Sequence, residues 1–265
     1  MKGNPILGTG SGSIGDVTIM RRNGSQVTRV RLRKIKNPMS QGQAEQRMYM
    51  APILKFYSPL AKVLETSFEG LNKADSYSKF ISVNANLARA NGWAVKKGSS
   101  FVALPYQVSE GSLLSVPMTS TADGIVVGVF IPAGGQTPNM GNLSTALINA
   151  GHQAGDQMTI IVYTKASNNL TYKRFYLNAE SSESLLDNGL VYAEGTLKVT
   201  ADAAAIIMSR WDGNKWARST AQVVCREDYL EDYTGEENLK AAIASYMKSA
   251  GQTPVSDVYL NGSDE

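Results

Sequence analysis

His152 is the only histidine and Cys225 the only cysteine of this chain, which narrows the chemistry it can perform. A Ser-His-Asp triad needs a histidine held by an acid and reaching a nucleophile. His152 sits in Asn149-Ala150-Gly151-His152-Gln153, a loop-like stretch that reads as surface and supplies no such partners. Cys225 closes the apolar run Val223-Val224-Cys225, where a thiol is expected to be buried and inert. One thiol and one imidazole cannot build a structural zinc site or a disulfide framework. The residues therefore predict no catalytic group, no metal site and no cofactor, and the chain does not read as an enzyme.

Glycines and charges offer two further candidates. Gly8-Thr9-Gly10-Ser11-Gly12 resembles a phosphate loop only superficially, lacking a preceding strand and a Gly-Lys-Ser/Thr ending. Asp228, Glu231, Asp232, Glu236 and Glu237 form an acidic cluster without EF-hand spacing, which reads as a solvated surface. The most pointed feature is basic. Arg29, Arg31 and Arg33 alternate with Val30 and Leu32, so three guanidiniums share one strand face, with Arg21 and Arg22 nearby. Such a face can grip phosphates. No aromatic residues interleave there for base stacking, and no groove-reading motif is present, so a protein interface is the preferred reading.

Val17–Met20 and Val27–Leu32 flank Asn23-Gly24, the dipeptide that best accepts a type I′ turn, and predict a hairpin. The glycine- and serine-rich residues 3–15 before it read as a flexible arm. After Asn37-Pro38, Ser40 is placed to cap a helix with Gln43 as its capping-box partner. That helix runs from about Gln41 toward Leu64, with Pro52 and Pro59 predicting a kink or break. A second helix is expected over about Lys79–Ala94, with Phe68, Leu71 and Tyr77 helping the two to pack. From residue 101 onward, short β-type runs recur at 126–130, 158–163, 170–177, 190–193, 197–200, 205–209 and 217–224, with a long loop around Gly134-Gly135 and Gly141. Asp212-Gly213-Asn214 marks another hairpin. A helix over about Glu236–Lys248 and a last strand over Val255–Leu260 follow. The fold class expected is mainly β with a helical N-terminal part (α+β): an N-terminal hairpin and helices over residues 1–98, and an antiparallel immunoglobulin-like β-sandwich over 99–265.

Composition agrees with a packed chain: 43% hydrophobic and 18% charged residues suffice for a core. No apolar stretch reaches membrane-spanning length, and the first residues lack a secretory apolar region, so cytoplasmic synthesis and no membrane partner are expected. Charge is uneven. In residues 1–50, nine basic side chains against Asp16 and Glu45 leave +7, whereas residues 220–265 carry nine acidic side chains against three basic ones, −6. A basic head and an acidic tail can pair within one chain or head-to-tail between copies, the geometry that closes rings.

The segment Gly12-Ser13-Ile14-Gly15-Asp16-Val17-Thr18, then Arg29, then Asn37, Pro38, Ser40, Gln43, Gln46 and Arg47 in an N-P-x-S-x-x-Q-x-x-Q-R pattern, resembles an uncharacterised family of Bacteroidota genomes and crAss-like gut bacteriophages. Ile206–Arg210 with Lys215–Thr220, and Val255–Leu260, are similar to that family's closing segments. The resemblance implies a helical N-terminal part joined to β-sandwich modules, and a structural protein of a ring in the phage tail barrel near the portal. Its implied partners are copies of itself, about twelve to a ring, and neighbouring tail or portal-proximal proteins, with DNA passing nearby but not bound specifically. Its implied location is the virion tail, assembled in the host cytoplasm. The alternative is a non-catalytic module that binds nucleic acid or protein. The motif residues carry structural roles: Pro38 ends a strand, Ser40 caps, and Gln46 and Arg47 can hydrogen-bond neighbouring backbone.

Overall fold

A computed structural model of the chain describes residues 12–22, 25–30, 40–93, 102–122, 124–131, 138–186, 189–193 and 196–230. The chain divides into two compact units, residues 1–40 and 41–265. The first holds β1 (Gly12–Ile14), β2 (Val17–Arg22) and β3 (Ser25–Val30) in an antiparallel sheet of that order. The hairpin expected from Asn23-Gly24 is present: Val17 pairs with Val30 and Arg22 with Ser25, leaving a two-residue connection. The glycine-rich stretch differs from its reading as an arm over its last residues. Gly15, at φ +55°, turns the chain so that Gly12–Ile14 runs back along β2, and the Ser13 and Thr18 hydroxyls meet across the strands at 3.2 Å.

The second unit begins with α1 (Gln41–Leu64) and α2 (Lys73–Trp93). Pro52 and Pro59 do not divide α1. Ile53, Phe56, Leu60 and Leu64 are each fully buried along one stripe, and that burial outweighs the backbone hydrogen bonds the prolines remove. The α2 helix starts six residues before the expected Lys79. Asn72 caps it, its Oδ1 accepting the N–H groups of Ala74 and Asp75 at 3.0 Å, a local signal that outranks the weak apolar periodicity of the first turn. Phe68 enters the core and Tyr77 meets Tyr57 edge-on at 4.9 Å, while Leu71 stays exposed.

The β elements are β4 (Gln107–Ser109), β5 (Met118–Thr121), β6 (Gly124–Val127), β7 (Gln157–Thr164), β8 (Asn169–Tyr176), β9 (Leu190–Ala193), β10 (Thr196–Val199), β11 (Ala203–Trp211), β12 (Trp216–Arg218), β13 (Ala221–Gln222) and β14 (Val224–Cys225), with α3 (Met140–Asn149) and α4 (Glu227–Leu230) between and after them. The expected run 217–224 is split at Ser219, whose hydroxyl accepts the Met208 N–H in place of its backbone carbonyl; β13 then pairs with β4 and β14 returns to β11. The Asp212 hairpin forms as expected, with Trp211 opposite Trp216 and Asp212 Oδ1 accepting from the Asn214 and Lys215 N–H groups. The expected long loop is a correction in part. Gly141 lies in the first turn of α3, whose capping box is reciprocal between Asn139 and Asn142. A Cβ on Gly141 would stand 2.5 Å from the Ser181 carbonyl oxygen, so the position takes glycine for close approach. Gly134 and Gly135 lie outside the described residues.

The architecture is mainly β with several antiparallel sheets and few helices. In the central sheet, of order β12-β11-β7-β8 with β14 on β11, the inner strands β7 and β11 are buried on both faces, whereas β8 is largely exposed. Successive residues of β11 alternate between two cores. Ala203, Ala205 and Ile207 join Ile161, Tyr163 and the α1–α2 helices on one side. Ala204, Ile206 and Met208 join Met158, Ile160, α3 and the sheet β5-β6-β10-β9 on the other. The helices therefore share a core with strands that follow residue 99, and the division between compact units falls at Ser40/Gln41. The helix over 236–248 and the strand over 255–260 lie outside the described residues, as do Leu32 and Ala94 at the ends of two other expected elements.

Candidate functional site

Of the basic face, Arg21 and Arg22 end β2 and Arg29 lies on β3 opposite Thr18; Arg31 and Arg33 lie outside the described residues. Every β3 side chain from Gln26 to Val30 is exposed, so both faces of that strand meet solvent. Val27 and Val30 are 39% and 71% exposed, and Val17 is also open. Of the acidic cluster, Asp228 lies on α4 and Glu231, Asp232, Glu236 and Glu237 lie outside the described residues. Asp228 is held by the fork of Arg226 two residues before it, which keeps its carboxyl below the usual range.

Of the motif residues, Asn37 and Pro38 lie outside the described residues. Ser40 stands just before α1, but the reciprocal arm of its capping box is not made: Gln43 Oε1 is buried without a hydrogen-bond partner. Gln46 and Arg47 are exposed on α1.

His152 corrects its reading as a surface residue. It is 5% exposed, tucked beneath the turn that follows α3. That turn is organised by Asp156, whose Oδ2 accepts the Gln153 N–H at 2.8 Å. Arg210 from β11 closes the group with two 2.7 Å hydrogen bonds to the Asp156 oxygens. Burial lowers the His152 pKa, against the attraction of Asp156 3.9 Å away, so the ring is held neutral. The Asp156 carboxylate is thus committed to Arg210 and the backbone rather than poised against a nucleophile. Sequence periodicity missed this group because its members, 54 residues apart, meet only through the β7–β11 pairing and the turn before β7. Cys225 is buried as expected, and burial pushes its thiol up to about 12.

A second polar group joins the α1–α2 loop to β12. Glu69 Oε2 accepts from the Ser112 N–H and hydroxyl, both at 2.9 Å, and from the Arg218 N–H at 3.3 Å. The Ser112 N–H is the first cause holding Glu69 below the usual carboxyl range. Gly111 threads between them; a Cβ there would lie 2.2 Å from the Arg218 carbonyl oxygen. The Arg218 side chain is buried, donating to Thr66 O at 2.9 Å and Thr66 Oγ1 at 3.2 Å, with its guanidinium over the Trp216 ring. Burial first, and then the neighbouring Arg174, push Arg218 down to about 10, so it remains charged at neutral pH. Among the described residues no cluster of three His, Cys, Asp or Glu side chains has metal-binding geometry, and no helix is long and apolar enough to cross a membrane.

The fold and these groups define an α+β protein with a buried polar group around Asp156, a second polar group around Glu69 that reaches the surface, and a basic ribbon whose β3 side chains from Gln26 to Val30 are exposed. Residues 9–122, somewhat under half the chain, match the model of a family of unknown function (DUF6266). The match spans the ribbon, both long helices and the first strands of the second unit. No curated protein and no solved structure matches the chain.

Proposed function

We propose that the protein is a structural subunit that assembles with copies of itself, forming a ring in the tail barrel of a bacteriophage, near the portal and around the DNA channel. The observation that carries this reading is the β1–β2–β3 sheet. A three-stranded sheet needs an apolar covering to be stable, yet β3 is exposed on both faces and carries Val27 and Val30 in the open. A second copy supplies that covering. The net +7 of residues 1–50 and −6 of residues 220–265 favour a head-to-tail contact, which closes rings. The N-P-x-S-x-x-Q-x-x-Q-R resemblance supports the tail-ring assignment, with tail proteins as neighbours and the virion, assembled in the host cytoplasm, as location. The packing of β5-β6-β10-β9 against the central sheet through one core supports an immunoglobulin-like sandwich as the assembling module. In this reading DNA passes the ring without specific contacts, and no catalytic step is involved.

The second reading is a non-catalytic module that binds nucleic acid, favoured by exposed Arg29 and the basic head. Light scattering and native mass spectrometry at low and high salt separate the two. A discrete high-order species that dissociates as salt rises is expected, and Val27→Asp with Val30→Asp should reduce it to monomer. A monomer at every concentration and salt, with salt-sensitive retention on DNA, would replace the ring by the binding module.

A further inference from the structure

The helix-facing side of the central sheet ends in polar residues where α1 ends. Arg218, Ser209 and Gln157 are cross-strand neighbours in one row, and Ile207, Thr159 and Arg174 are neighbours in the next. Residues two apart on a strand share a face, so Arg218, Ser209, Thr159 and Arg174 all point toward Val63 and Thr66 at the end of α1. They line a small, partly open cavity of about 10 Å³. That is room for roughly one water-sized particle.

The charge around this cavity is out of balance. Arg174 donates to Lys62 O at 3.1 Å and Arg218 to Thr66 O, so both guanidiniums lean on carbonyls at the helix end, which carries only about half a negative charge. The neighbouring carboxylate, Glu69, has Oε2 engaged by three N–H and O–H donors and also faces Lys215 at 3.9 Å. Two arginines, the buried Arg218 and the exposed Arg174, therefore converge on one small space, with Glu69 and the Trp216 ring offsetting only part of the Arg218 charge. Facing them, Ser209 Oγ is buried and has no hydrogen-bond partner, although Ser209 is 1% exposed. A buried charge that is only partly compensated and a buried hydroxyl without a partner are both destabilising, and one small anion relieves both.

We propose that this cavity is a binding site for a single monatomic anion, chloride in the cell, held by Arg174, Arg218 and Ser209. The anion ties the end of α1 to strands β8, β11 and β12. It does not depend on assembly, because every group that holds it belongs to the second unit of one chain. The test is thermal unfolding of the full chain at fixed ionic strength, with chloride exchanged stepwise for gluconate. The midpoint should rise with chloride, the unfolding constant falling roughly tenfold for each tenfold increase above saturation. Arg174→Gln keeps an N–H donor for Lys62 O on an exposed side chain and should abolish the chloride dependence; Ser209→Ala should weaken it. Crystals soaked in bromide should show an anomalous peak among Arg174, Arg218 and Ser209. A midpoint indifferent to chloride, a dependence that survives in Arg174→Gln, or an anomalous map empty at the cavity would overturn the site and leave it to water.

Discussion

At the scale of single residues, the buried group of His152, Asp156 and Arg210 gives a clean handle on pH. His152 is the only histidine, so titration near its ordinary value of 6.5 comes from one ring. Burial lowers its folded pKa while Arg210 opposes and Asp156 favours its charge. The unfolded chain therefore takes up the proton first as pH falls. The stability contributed by the neutral ring is complete above pH 6.5 and declines as pH drops toward the folded value. Urea unfolding between pH 7.5 and 5 should show a loss approaching about 1.4 kcal/mol per pH unit within that window, and His152→Gln should flatten it. An equal slope in both proteins would mean other groups carry it. Asp156, whose pKa is also lowered, acts in a separate window: its contribution is present above the usual carboxyl range and lost at more acid pH.

At the scale of elements, α1 is a long helix that tolerates two prolines because its buried stripe holds it against α2 and the central sheet. The two prolines differ in surroundings: Pro52 is buried, whereas Pro59 is exposed. Restoring the backbone donor at the exposed position disturbs no packing. Pro59→Ala should therefore stabilise the protein by about 2 kcal/mol, the helix-interior penalty of proline less its restriction of the unfolded chain. A rise in the urea midpoint measures this, and an unchanged or lowered midpoint would show that the proline bend is needed for the helix to follow the core. The β1–β2–β3 sheet is the opposite case, an element with regular pairing whose β3 side chains from Gln26 to Val30 are exposed, and the proposed ring would cover them with a second copy.

At the scale of the whole molecule, the second unit has two cores that share one sheet. Ile207 faces the helices and Ile206 the second sheet, one residue apart on β11. Because both cores are built on the same strand, they should unfold together. Ile206→Ala and Ile207→Ala should each cost about 2–4 kcal/mol, and both should lower a single transition seen alike by far-ultraviolet circular dichroism and tryptophan fluorescence. Two separable transitions, one moved by each substitution, would show that the layers are independent.

The helix α1, the Asn23-Gly24 and Asp212-Gly213-Asn214 hairpins, and the cores of most strands after residue 120 were legible in the sequence, because capping residues, turn dipeptides and apolar period act over a few neighbouring positions. Cys225 could be read as buried for the same reason. The helix α3 was written in Asn139, Met140, Leu143 and Leu147 but was obscured by the flanking glycines that read as loop. His152 reads as a surface residue because nothing in Asn149–Gln153 signals burial, and its neighbour Asp156 is held by Arg210 from another strand. Strand order, the sharing of one sheet between two cores, and the meeting of Arg174, Ser209 and Arg218 came from tertiary structure alone. Local sequence determines which way a side chain points from its strand, but which strands lie side by side is set by long-range burial, and only that placement brings distant charges to one cavity.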